Sequence, residues 1–321
     1  MNVHQLVVEA SARIKSFIRK TPLEYSPYLS EMCDCNVYLK LENQQVTGSF
    51  KSRGALNKIL SLSDEEKLKG VLTASTGSHA AAVSYALAIA DATGEIFMPE
   101  NVSELKVQNL KQYEKVKINL FGKDSVDAEK EALRQAQLQD KVYVSPYNDE
   151  EIIGGQGTAA YEIIEQLPKV NSILVPVGGG GLISGIGGYA KEENEDIEII
   201  GCQPENSAVM YHSVQAGRVL DMPSLPTISD GTAGGIEEGS ITFPICQKYV
   251  DSYHLLEESE ILNALGILLK YHQVMAEGAA GLSVAGLIKN KEHYKKKNVV
   301  LIICGNKMSL ELMQFAIDTQ A

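Results

Sequence analysis

Residues 172–192 read SILVPVGGGGLISGIGGYAKE. Ser172 to Val177 is a nearly continuous apolar run, the pattern of a strand covered by helices on both faces. Gly178, Gly179, Gly180 and Gly181 follow, and then the spacing of a helix takes over. Four consecutive glycines lose much backbone entropy on folding, so a close approach or a ligand must compensate. A glycine turn feeding a helix start aims several N–H groups out of the positive end of the helix dipole, which suits a phosphate. A dinucleotide fingerprint fits poorly. Gly185, Gly187 and Ala190 match G-x-G-x-x-A, but they begin inside the helix, and the next strand ends at Gln203, where a ribose-binding carboxylate would be wanted. No Walker lysine follows the glycines.

Working outward, strand patterns recur at 36–42, 70–75, 95–100, 117–122, 141–146, 197–203 and 298–304. Between them lie helical patterns such as 78–90, 102–113, 126–137, 157–167 and 260–272. This alternation predicts an α/β fold with parallel-rich open twisted sheets and helices on both faces. Such sheets bind ligands beyond the carboxyl ends of their strands, so the informative residues should follow strands. The 321 residues leave room for two domains. A net charge of −12 argues against a nucleic-acid partner. No run of about 20 apolar residues predicts a membrane span. Residues 1–20 read as an amphipathic helix, not as a basic leader with an apolar core. Five widely spaced cysteines (Cys33, Cys35, Cys202, Cys246, Cys304) then point to reduced thiols in a cytoplasm. Cys33 and Cys35 stand too close for a zinc knuckle.

Thr47-Gly48-Ser49-Phe50-Lys51-Ser52-Arg53-Gly54-Ala55 opens a further helical stretch. Ser49 is the expected N-cap, which puts Lys51 in the first turn. A cation there opposes the helix dipole. That field, some burial and the neighbouring Arg53 would lower the amine's pKa and favour its nucleophilic form.

SFKSRGA (49–55), the loop Ser75-Thr76-Gly77-Ser78-His79, GGGGLISG (178–185) and Cys304-Gly305 occur in the order that marks the fold-type II pyridoxal-phosphate enzymes. From about Pro22 to Leu310 the chain resembles the serine/threonine dehydratases and serine racemases of that group. The resemblance implies a tryptophan synthase β-like fold and pyridoxal 5'-phosphate as cofactor. It makes Lys51 the Schiff-base lysine and proton-transfer group, with Phe50 beside the ring and Gly178 to Gly181 around the phosphate. Cys304 would meet the pyridine nitrogen; a neutral thiol there gives a weaker electron sink than a carboxylate, which suits elimination. Ser75, Thr76, Gly77 and His79 would bind the substrate carboxylate, with Gln156 also lining the pocket. Gly231 and Glu277 match positions near the cofactor, although Glu277 also suits the cap of a following helix. The implied reaction removes water from a β-hydroxy amino acid, of the L-threonine or L-serine class, to give a 2-oxo acid and ammonia. A 3-hydroxyaspartate or a bulkier β-hydroxy amino acid is the alternative substrate, and amino-acid racemisation the alternative reaction.

Three departures from the family pattern stand out. Ser78 occupies the usual place of an Asn at the cofactor's ring hydroxyl. Thr76 stands where simple dehydratases carry Ala and racemases Ser, so its hydroxyl is either a proton donor opposite Lys51 or a filler. The family's divalent-metal ligands fall on Gln203 and Val209, so no metal is expected. The expected organisation is a large domain of 1–47 plus 149–321, with a small mobile substrate domain of 48–148 and a homodimer as the assembly. Glu237 and Glu238 are read as solvated loop acids.

Overall fold

The computed structural model describes residues 1–320. Its ten strands are β1 (Leu23–Tyr25), β2 (Asn36–Lys40), β3 (Val71–Ala74), β4 (Gly94–Met98), β5 (Val116–Leu120), β6 (Val142–Tyr143), β7 (Ser172–Pro176), β8 (Glu198–Pro204), β9 (Ser252–Leu256) and β10 (Asn298–Ile302). They form two sheets, in the orders β1-β2-β10-β7-β8-β9 and β5-β4-β3-β6. Only the β1–β2 pair is antiparallel. All strands of the four-stranded sheet lie between residues 71 and 143, while the six-stranded sheet draws on both sides of that segment.

The centre of the larger sheet explains its apolar strands. Every residue of β7 is buried, with β10 and β8 paired on either side of it. Helices Val3–Ile14, Glu150–Gln166, Gly181–Glu193 and Gly278–Lys289 contribute to the core around it. Val3, Val7, Ala10 and Ile14 form the buried stripe of the first helix, as its spacing predicts. β1 and β9 escape the sequence reading because they are edge strands. β1 has three residues, two of them exposed, and β9 is fully buried only at Leu256. Among the described residues no helix is long and apolar enough to cross a membrane.

The strand order fixes where a ligand can sit. In the larger sheet β7 leads on to β8 while β10 lies on its other side, and in the smaller sheet β3 leads on to β4 while β6 lies on its other side. Ligands bind at such switch points, outside the carboxyl ends of the strands. The loops leaving β3, β6, β7 and β10 are those of residues 75–77, 144–148, 177–180 and 303–309. All four line one cavity of about 1080 Å³.

Candidate active site

Lys51 is the first residue of helix Lys51–Ser61. The N-cap is Phe50, not Ser49, and it makes no side-chain cap bond. The chain enters this helix along the end of β10: Ser49 bridges to Gly305, and the Phe50 N–H donates to the Cys304 carbonyl at 3.1 Å. This tertiary pairing moves the helix start by one residue. It also ties Lys51 to Cys304 through the main chain.

The Lys51 ammonium donates to the Pro146 carbonyl at 2.8 Å and lies 5.2 Å from the centre of the Phe50 ring. Burial pulls its pKa down to about 8, with Glu277 and Cys304 pulling the other way. Arg53 takes no part in this, contrary to the sequence reading. Its guanidinium points into a buried pair of carboxylates, Glu42 and Glu162.

Gly178 to Gly181 lead into helix Gly181–Glu193, as expected. Gly180 has φ +89°, a left-handed conformation that favours glycine. A Cβ on Gly179 would stand 2.5 Å from the ring of Tyr147, so the cradle is closed to side chains. The first N–H groups of the helix have no intrahelical partner and remain for an anion.

The loop after β3 enters helix Ser78–Ala90 through Gly77, where a Cβ would meet nothing within 4 Å. Ser75, Thr76 and Ser78 line the cavity beside it. His79 is buried, and its Nε2 pairs with the Val144 carbonyl at 3.1 Å. Burial, and then the charge of Lys51, push its pKa down to about 3, so the imidazole is neutral and Nε2 carries the proton. Its buried Nδ1 has no partner. His79 thus fixes the β3 loop to the exit of β6 and offers one acceptor.

Glu277 occupies the N-cap position of helix Gly278–Lys289 but makes no side-chain cap bond. It accepts instead from the Cys304 thiol at 3.3 Å. Burial raises the pKa of both groups. Gly231 lies opposite, where a Cβ would stand 3.6 Å from Glu277 Oε1.

Gln156 is not brought to the cavity. It sits within helix Glu150–Gln166, buried, and its Oε1 accepts the Gly54 N–H at 3.3 Å. Its Gly-Gly-Gln-Gly motif lies mid-helix, where the glycines let neighbouring helices approach. Gln203 braces the Val177 carbonyl and the Tyr211 N–H, and Val209 is buried. Among the described residues no cluster of three metal-ligating side chains occurs. Glu237 and Glu238 are exposed, and Glu237 accepts from the Asn148 amide at 2.8 Å.

Tyr147 and Lys307, which the sequence reading did not name, also line the cavity, as does Thr232 beside Gly231. Tyr147 follows the strand ending at Tyr143, so the carboxyl-end rule alone pointed to it. Lys307 follows β10 and was open to the same rule.

The residues fit pyridoxal phosphate. A cradle open only to backbone would hold the phosphate, an amine with a lowered pKa would meet the aldehyde, and a thiol backed by a carboxyl group would meet the ring nitrogen. Residues 14–305 match the family described as pyridoxal-phosphate dependent enzyme. The chain is 39% identical over 312 residues to an L-threonine ammonia-lyase of Thermotoga maritima, covering 97% of this chain and 77% of that protein. It is 36% identical over 306 residues to the catabolic L-threonine dehydratase of Escherichia coli, covering 95% and 92%. Among solved structures, a threonine deaminase from Solanum lycopersicum superposes with a TM-score of 0.93 at 30% identity, covering 99% of this chain and 93% of that one. Maize serine racemase superposes at 0.91, also at 30% identity, covering 99% and 97%. The chain belongs to the fold-type II pyridoxal-phosphate enzymes, in the family of the serine/threonine dehydratases and serine racemases.

Proposed function

We propose that this protein removes water from L-threonine or L-serine and releases a 2-oxo acid and ammonia. The observation that carries the reading is Lys51. Its amine is half-buried and its pKa is lowered to about 8, so the neutral, nucleophilic form is far more accessible near neutral pH than in an ordinary lysine. It shares one cavity with the glycine cradle and a loop of hydroxyls at a helix start. Pyridoxal phosphate, when bound, supplies an aldehyde for an amine and a ring that withdraws electrons from Cα.

The chain's own residues do the rest. Backbone N–H groups at Gly178–Gly181 hold the phosphate, and those at the start of helix Ser78–Ala90 hold the substrate carboxylate, helped by Ser75 and Thr76. Lys51 Nζ takes the Cα proton, and Phe50 and Ser78 flank the ring. The Cys304 thiol leaves the ring nitrogen without a carboxylate partner, which favours elimination. His79 stays neutral and adds no charge that would compete with the base.

Racemisation is the second reading. It is favoured by the Thr76 hydroxyl, which lines the cavity and has no hydrogen-bond partner among the described residues. Product analysis separates the two. The loaded enzyme with L-threonine or L-serine should release ammonia and 2-oxo acid in equal amounts. D-amino acid without ammonia would select racemisation and sink the dehydratase reading.

In this reading the four-stranded unit, taken as 48–148, closes on the unit of 1–47 and 149–321 and excludes water. The protein works in the cytoplasm as a homodimer. Exposed Leu310, Phe315 and Ile317 of the last helix support an interface. Light scattering at micromolar concentration should give twice the chain mass, and a monomer would refute the interface.

A further inference from the structure

We infer that Arg53 is a positioning residue for Lys51. It locks the lysine's helix to the six-stranded unit, so that closure moves the carboxylate loop and not the base. This rests on the reading of Lys51 given above.

Arg53 follows Lys51 by two residues and is fully buried. Its Nε and Nη2 donate to the two oxygens of Glu42, each at 2.7 Å. Nη1 donates to Glu162 at 2.8 Å and to Thr158 at 3.0 Å, and Nη2 donates to Glu162 at 2.9 Å. All five guanidinium donors are engaged in a fixed fork. Lys40 closes the cluster, donating to Glu162 at 2.5 Å and to the Thr21 carbonyl at 2.9 Å. Burial alone would raise the pKa of Glu162, but Arg53 and Lys40 outweigh it and hold the carboxylate ionised.

Every partner of this cluster comes from β2, the turn after it, residue 21 or helix Glu150–Gln166. None comes from the four-stranded sheet. That same helix also spaces Lys51 from the phosphate cradle. A Cβ on Gly155 would stand 2.6 Å from the Arg53 carbonyl, and one on Gly157 would stand 2.7 Å from the Gly185 carbonyl in the glycine-run helix. On its other side the Lys51 helix meets helix Ser78–Ala90 through Ala55, Leu56 and Ile59 against Ala82, Val83 and Ala86. That contact is apolar and non-directional, and tolerates sliding in a way that five oriented bonds do not. On this inference the Lys51 helix moves with the six-stranded unit, and the part that closes begins after Ser61 and not at residue 48.

The test uses Arg53→Lys, which keeps the charge and loses the fork, and Thr158→Val, which removes one of the guanidinium's bonds together with the hydroxyl's own bond to the Gly155 carbonyl. Pyridoxal phosphate is added to cofactor-stripped protein, and its attachment to Lys51 is followed by absorbance and by borohydride trapping of the Lys51 peptide. Competition by inorganic phosphate reports the glycine cradle alone. For Arg53→Lys, attachment and kcat per folded molecule should fall at least about tenfold, as misplacing a reacting group does. KM and phosphate competition should stay within about twofold. Thr158→Val should shift attachment and kcat the same way, by about threefold. Should Arg53→Lys not fold, Thr158→Val decides by the same criteria. Attachment within twofold of wild type, or phosphate competition falling in step with attachment, overturns the inference alone. Wild-type attachment at a residue other than Lys51 overturns the functional reading and this inference with it.

Discussion

Lys51 and Arg53 are two residues apart on one helix turn and are treated in opposite ways. Arg53 is given four buried oxygens from two carboxylates, and burial, which would lower its pKa, is outweighed by Glu42 and Glu162. Lys51 is given a single carbonyl, and burial wins. The same imbalance runs through the cavity. The pKa values of Glu277 and Cys304 are raised and that of His79 is lowered, each chiefly by burial. Paired charge holds position. Unpaired groups are pushed toward their neutral forms, and neutral forms take and give protons near pH 7.

The sharpest break of this contrast is to remove the unpaired side. Lys51→Ala should cost about 10²–10⁴-fold or more in turnover, with little change in melting temperature. Removing the paired side should strike stability as well as turnover. Arg53→Met leaves Glu42 and Glu162 buried without their main counter-charge and should destabilise the protein by about 3–5 kcal/mol in urea unfolding. Gly179→Ala probes neither charge set, only the cradle. Its Cβ would strike the Tyr147 ring, and an overpacking penalty of about 1–3 kcal/mol should appear as roughly ten- to hundredfold weaker cofactor binding. The smallest effect is on pH dependence. His79 has a folded pKa of about 3, below its ordinary value of 6.5. Its contribution to stability is therefore complete above about 6.5 and is lost as the pH falls toward 3. His79→Gln should flatten the melting curve over that window, and an unchanged acid slope would show that the imidazole is not held neutral.

The sequence was most legible where one physical demand dominates. Four glycines after an apolar strand admit few uses, and Gly178–Gly181 stand where that reading puts them. The loop from Ser75 to His79 follows its strand and opens its helix as read. Legibility failed where tertiary contact overrides local pattern. Ser49 lost the cap because pairing with Gly305 shifts the helix start. The helical pattern was read only from Gly157, but the helix begins at Glu150 and runs through Gly154, Gly155 and Gly157, since close packing against three neighbouring helices outweighs their poor propensity. Gln156 was assigned to the pocket by family resemblance, and the helix turns it toward the Gly54 N–H instead. Arg53 was read from its distance in sequence to Lys51, and only the fold shows its side chain pointing away.

The most direct test is the visible absorption of the loaded protein and of Lys51→Ala, before and after L-threonine and L-serine, with ammonia measured in the same cuvette. The account predicts a yellow band in the wild type that one of the two substrates discharges with ammonia release, and that Lys51→Ala alters without release. A band unmoved by both substrates, or equal ammonia release from Lys51→Ala, would contradict it.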